Sequence, residues 1–149
     1  MRGYRRRGGT AYAATPGMIA GIGFDLVSVA RIALLLASDD AFETRTFTMG
    51  ERAACAERVD RAQALAARLA AKEACLKALG TGWGPGISFA QVEVISGDGV
   101  QPRLHLTGGA EARANELGVE RIHVTLTHEG GFAAAAVIAE GREVSPPDD

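Results

Sequence analysis

The spacing of apolar positions changes character near Gly86, helical before it and alternating after, with one strand ahead of both. That strand is Ile19 to Val27 (IAGIGFDLV), a nearly continuous apolar run with β-branched residues and glycines. It predicts a buried strand with close backbone approaches. Its exception is Asp25, because an acid in such a strand is costly unless paired, hydrogen-bonded or metal-bound. The alternative is that Asp25 only caps the following turn. Ser28 predicts the cap of a short helix to Leu36, with Val29, Ile32, Leu35 and Leu36 inward and Arg31 outward. A further helical piece starts at Asp39 or Asp40 and runs through Thr46. Thr48 and Glu51 have capping-box spacing for a third helix, which carries Cys55 and Val59 and leads into the longest element after Asp60.

Ala62 to Gly82 has no helix breaker for about five turns and is rich in the best helix formers. Leu65, Leu69, Leu76 and Leu79 fall on one narrow stripe, and alanines from Ala66 to Ala78 fill the opposite side. Arg68, Lys72, Glu73 and Lys77 lie beside or within the leucine stripe instead of opposite it. A smooth alanine back suits contact with another backbone better than contact with water. The four charges then predict a shared polar pocket, either a ligand site or a buried ion-pair network. Gly80 and Gly82 end the helix.

Beyond Gly86, Phe89 to Ser96 and Val100 to Leu106 predict a hairpin about Gly97 to Gly99. Thr107 caps a helix to about Leu117, ended by Gly118. Glu120 to Thr127 alternates cleanly, His128 to Gly131 forms a turn, and Phe132 to Ala139 reads as a buried small-residue strand. The sum is an α+β domain with a long central helix on a mainly antiparallel sheet. It spans residues 18–140, between a disordered basic extension (1–17) and a polar tail (141–149).

At 149 residues the chain is long enough for one domain with a proper core. A net charge of −2 argues against wholesale nucleic-acid binding, yet Arg31, Arg45, Arg52, Arg58, Arg61 and Arg68 crowd the first half, where a basic patch could meet an acidic partner. Cys55 and Cys75 have no metal-type spacing and read as reduced thiols. No apolar run approaches a membrane span, and residues 1–17 lack the features of a signal peptide. These readings predict a soluble, cytoplasmic protein.

Three places put polar groups in apolar settings: Asp25, the Lys72/Glu73/Lys77 face, and His128 at a strand end. Two carboxylates meeting in space could hold Mg²⁺, which keeps several waters and takes substrate phosphates for its remaining positions. Glu73 and Lys77 are one turn apart and face the same volume, so Lys77 could neutralise a phosphate on that ion; a plain helix salt bridge is the alternative. His128 alone reads more readily as a structural strand-end residue than as a catalyst. Gly80-Thr81-Gly82 could offer backbone amides to phosphates, although so short a glycine loop is weak evidence by itself.

Four segments in order, from Met18 to about Glu140, carry a resemblance. Gly21-Ile22-Gly23-Phe24-Asp25-Leu26-Val27 with Arg31-Ile32, Phe47-Thr48 with Glu51, Arg68 through Gly82, and Val124 through Glu129 resemble the motifs of the holo-acyl-carrier-protein synthases, the small 4′-phosphopantetheinyl transferases. The departures are Leu69 where an aromatic is common, threonines at 125 and 127 where serines are frequent, and the arm 1–17. The resemblance implies transfer of the 4′-phosphopantetheine arm of coenzyme A to a serine of apo-acyl carrier protein, from fatty-acid or polyketide synthesis, releasing 3′,5′-ADP. It implies Mg²⁺ on Asp25 and Glu73, and Lys77 on the phosphate under attack. His128 would sit on the coenzyme phosphates or assist proton removal, with Arg68 and Gly80, Thr81 and Gly82 near the nucleotide. Arg31 would face the acidic helix of the carrier. It also implies a homotrimer whose sites lie between subunits, with His128 and Glu73 of one site on different chains and the alanine back of the helix near a neighbour. A non-catalytic module that binds coenzyme A or a carrier protein is the alternative.

Overall fold

The computed structural model describes residues 17–142 apart from Trp83 and Asp98, so the predicted extension, but for Gly17, and the tail past Arg142 lie outside the described residues. Strand β1 (Met18–Ser28) opens the fold and is followed by helices α1 (Val29–Ser38), α2 (Phe42–Thr46), α3 (Met49–Cys55) and α4 (Arg61–Ala78). A 3₁₀ turn (Phe89–Gln91) precedes strands β2 (Val92–Gly97) and β3 (Val100–Leu106). Helix α5 (Gly108–Glu116) and strands β4 (Val119–Glu129) and β5 (Phe132–Gly141) complete it. The sheets are antiparallel: a three-stranded one ordered β1-β5-β4, and the separate β2–β3 hairpin.

Local chemistry sets the helix starts. The Ser28 hydroxyl accepts from the Arg31 amide, and Thr48 with Glu51 forms a complete capping box. Thr107 precedes α5 without a side-chain cap. Two predicted boundaries move. Helix α3 stops at Cys55, which leaves Val59 fully exposed in the turn to α4. Phe89 belongs to the 3₁₀ turn, so the strand starts at Val92.

Helix α4 lies across β1 and β5, with Ala70, Ala71 and Ala74 wholly buried. Its alanine back meets main chain. A Cβ placed on Gly21 would stand 1.9 Å from the Ala78 carbonyl oxygen, and one on Gly23 would stand 1.8 Å from that of Ala74. Only glycine lets strand and helix come so close. The partner of the alanine back is thus the chain's own sheet, and the expectation that it lies near a neighbouring subunit is corrected.

The expectation of a buried first strand is also corrected. On the face of β1 turned from α4, Ile22, Phe24 and Leu26 are 70%, 61% and 56% exposed. The register continues this face across the sheet, Ile22–Ile138–His123, Phe24–Ala136–Thr125 and Leu26–Ala134–Thr127. One side of the sheet therefore carries the core, and the other presents an apolar surface. Cys55 and Cys75 are free thiols in the core, and burial pushes Cys75 up to about 12.

Candidate active site

Residues alternate faces along a strand, so the glycines at 21 and 23 and the acid at 25 all point toward α4. The close glycine contacts bring Asp25 down beside the helix turn that bears Glu73 and Lys77. Asp25 is buried; its Oδ1 accepts from Lys77 Nζ at 3.0 Å, and the same ammonium donates to the Phe24 carbonyl at 3.0 Å. Asp25 Oδ2 is buried with no donor when both acids are ionised. Burial, and after it the facing Asp25 carboxylate, pushes Glu73 up to about 7, with Arg31 and Lys77 pulling the other way. A proton held on Glu73 lets the two acids share a hydrogen bond.

This arrangement meets the requirements of a small divalent cation. Two carboxylates converge, one oxygen has an unused lone pair, and the repulsion between them falls when a positive charge enters. Among the described residues no cluster of three or more His, Cys, Asp or Glu forms, so a protein-only cage is not available. An ion here must take its other ligands from water or substrate, as Mg²⁺ does. The cleft beside the acids measures about 240 Å³ and is lined also by Leu76, Lys77, Gly82 and Phe89. Past Glu73 and Phe89 it continues into a larger apolar groove of about 510 Å³, with Leu35, Phe42 and Leu69 on its walls and Arg31 and Arg45 at its edge.

The glycine turn contributes less than its sequence suggests. The Gly80 amide donates to the Lys77 carbonyl and the Thr81 amide to that of Leu76, which closes the helix and commits both N–H groups. Gly82 alone of the three lines the cleft.

Arg68 and His128 sit elsewhere. His128 pairs with Ala133 on β5, which places it on the opposite edge strand of the sheet from Asp25. With Arg68, Asp60 and Ser96 it lines a separate recess of about 180 Å³. The Arg68 guanidinium is buried, donating to the Ala64 carbonyl and to Ser96 Oγ, while its Nε has no partner. Within one chain, then, the predicted residues form two separate groups, Asp25/Glu73/Lys77/Gly82 with Arg31 adjacent, and Arg68/His128.

The four charges of α4 do not share one pocket either. Lys72, fully buried, pairs with equally buried Glu51 at 2.7 Å and takes no part in the cleft. Burial pulls its pKa below the usual lysine range, and the adjacent carboxylate opposes that shift. Glu51 is thus a helix cap and an ion-pair partner at once. A capping box shows in sequence; a partner 21 positions away does not.

The 4′-phosphopantetheinyl transferase superfamily pattern matches residues 21–137. The holo-[acyl-carrier-protein] synthase of Anaeromyxobacter dehalogenans (strain 2CP-1) is 51% identical over 83% of this chain and 98% of its own. The crystal structure of the Neisseria meningitidis synthase aligns with a TM-score of 0.72 at 32% identity, covering 82% of this chain and 98% of that one. The Bacillus anthracis synthase, solved in complex with CoA (3′,5′-ADP), aligns at 0.69 with 33% identity, covering 84% and 99%. Sequence match and shared architecture both extend over the strand that holds Asp25 and the helix that holds Glu73, and the chain belongs to the 4′-phosphopantetheinyl transferase superfamily.

Proposed function

We propose that this protein is a holo-acyl-carrier-protein synthase, transferring 4′-phosphopantetheine from coenzyme A to a serine hydroxyl of apo-acyl carrier protein and releasing 3′,5′-ADP. The observation that carries the reading is the convergence of Asp25, from a strand, and Glu73, from the central helix, beside the Lys77 ammonium and an open cleft. In the reaction the serine oxygen forms a bond to the phosphorus bearing the pantetheine arm as the bond from that phosphorus to 3′,5′-ADP breaks. Asp25 and Glu73 would hold Mg²⁺, which supplies charge neutralisation on the diphosphate when bound. Lys77, 56% exposed at its side chain, can turn its ammonium from Asp25 toward the equatorial phosphate oxygens. Positioning and electrostatics supply most of the rate in such transfers. Leu35, Phe42 and Leu69 wall the groove next to Glu73, and Arg31 at the groove edge offers positive charge to an acidic carrier helix, with Arg45, paired to Asp39, beside it.

The assembly we favour is a homotrimer with sites between subunits. Its support is the exposed apolar face of β1 and β5, and the separation of His128 and Arg68 from Glu73 within one chain. His128 and Arg68 of a neighbouring protomer would then complete the coenzyme side, on the phosphates or at the serine proton. Among the described residues no helix is long and apolar enough to cross a membrane. Free core thiols support a cytoplasmic setting. Incubation with apo-carrier protein, coenzyme A and Mg²⁺ tests the reaction. A gain of one phosphopantetheine mass on the carrier supports it; binding of coenzyme A without that gain favours the non-catalytic module.

A further inference from the structure

The crossing of α4 over β1 is closely spaced but loosely keyed. Alanines against the glycines at 21 and 23 meet there without interlocking side chains, so this crossing fixes the height of the helix over β1 better than its rotation or slide. Something else must hold Glu73 toward Asp25. Lys72 and Ala74 lie about 200° apart around the helix, so Lys72 leaves the side away from the sheet.

There its three donors are all used, on Glu51 Oε2 at 2.7 Å, the Phe89 carbonyl at 3.0 Å and the Val92 carbonyl at 2.6 Å. Glu51 is equally committed. Its Oε1 accepts from the Val94 amide at 2.8 Å and its Oε2 from the Thr48 amide at 2.8 Å. A buried ion pair is a poor device for stability alone, since apolar residues of the same volume often stabilise as well or better. What it adds is direction. Three acceptors on the start of α3, the 3₁₀ turn and β2 converge on one nitrogen, whose neighbour in sequence is Glu73. Phe89, held through its carbonyl, also lines both the acid cleft and the groove.

We infer that Lys72 and Glu51 are positioning residues for the transfer, setting the rotation of α4 so that Glu73 faces Asp25 and holding Phe89 as the opposite wall. The inference rests on the activity proposed above. A merely structural pair would leave cation affinity and turnover unchanged in any variant that folds.

The test compares wild type, Glu51→Asp, the neutral double variant Lys72→Met/Glu51→Gln, and Glu73→Gln as a control. Mn²⁺ binding without coenzyme is read by the loss of free-ion electron paramagnetic resonance signal, and kcat and KM are measured separately on folded protein. The double variant is expected to weaken Mn²⁺ binding and lower kcat by about tenfold each, the scale of losing an outer-shell support. KM for the carrier should be unchanged. Glu51→Asp, which keeps the charge but shortens the reach, should shift both in the same direction by less. If the double variant does not fold, Glu51→Asp decides alone. Wild-type Mn²⁺ affinity and kcat in a folded variant overturn the inference, as does unfolding of Glu51→Asp, which would leave the pair a stability element. Failure of wild type to bind Mn²⁺ or transfer the arm overturns the proposed function instead.

Discussion

Replacing Glu73 with glutamine should make the metal-free protein more stable while removing its activity. Glu73 is held at about 7, against an ordinary 4.5, by burial and the facing Asp25. Ionising it in the fold therefore costs up to about 3 kcal/mol at pH 8, where it is charged in both folded and unfolded states. Its partial contact with solvent screens part of that, and ~1–2 kcal/mol is the expected remainder. The sign follows from the raised value. The folded state holds the proton more tightly, so wild-type stability falls as pH climbs from 4.5 through 7 and levels off above. Glutamine has no such proton, and its amide can donate to the otherwise unpartnered Asp25 Oδ2. Urea unfolding at pH 5 and pH 8, in chelator and at one protomer concentration, measures the difference. The variant should exceed wild type by ~1–2 kcal/mol at pH 8 and by clearly less at pH 5, while losing about a hundredfold or more in transfer. A variant no more stable than wild type at pH 8, or a gap independent of pH, would refute the two-acid account.

Gly23→Ala should destabilise the fold by roughly 2–3 kcal/mol and reduce transfer, because the new methyl would stand 1.8 Å from the Ala74 carbonyl and push β1, with Asp25, off the helix; an unchanged melting midpoint would contradict the contact. Phe24→Glu, on the opposite face of the same strand, should leave the protomer folded but lower the mass seen by light scattering, and an intact trimer would exclude that face as the interface. Arg31→Glu should raise KM for the carrier by about tenfold, the scale of removing a contact and adding a repulsion, with KM for coenzyme A little changed. Equal loss on both would place Arg31 in the coenzyme site instead.

Element types were mostly visible in the chain, and the misreadings have physical causes. An apolar run such as Ile19 to Val27 looks the same whether its second face is covered by its own chain or left for another, so the exposure of Ile22, Phe24 and Leu26 could not be read from it. Asp25 and Glu73 stood out as acids in apolar settings, but their meeting depends on Gly21 and Gly23 admitting the helix, which only coordinates reveal. The motif resemblance named the pair without explaining its approach. The assignment of four helix charges to one pocket failed because helix periodicity reports direction and not what waits there. The 3₁₀ turn and β2 return over α4 and claim Lys72, while Ser96 claims part of Arg68. The commitment of the Gly80 and Thr81 amides is hidden for a related reason: the turn that exposes a glycine loop also spends its first N–H groups on the helix end.

Where β1 crosses α4, nothing but main chain separates them. Most binding sites can be re-spaced over generations by trading one side chain for another of different length at the supporting layer. That route is closed at this crossing, because every residue larger than glycine at 21 or 23 collides with a carbonyl. The height of the helix over the strand is therefore inherited as a fixed dimension of the scaffold, present before any ion or substrate arrives. Adaptation toward new substrates must come from the groove walls and the arginine edge, which can vary without disturbing that height.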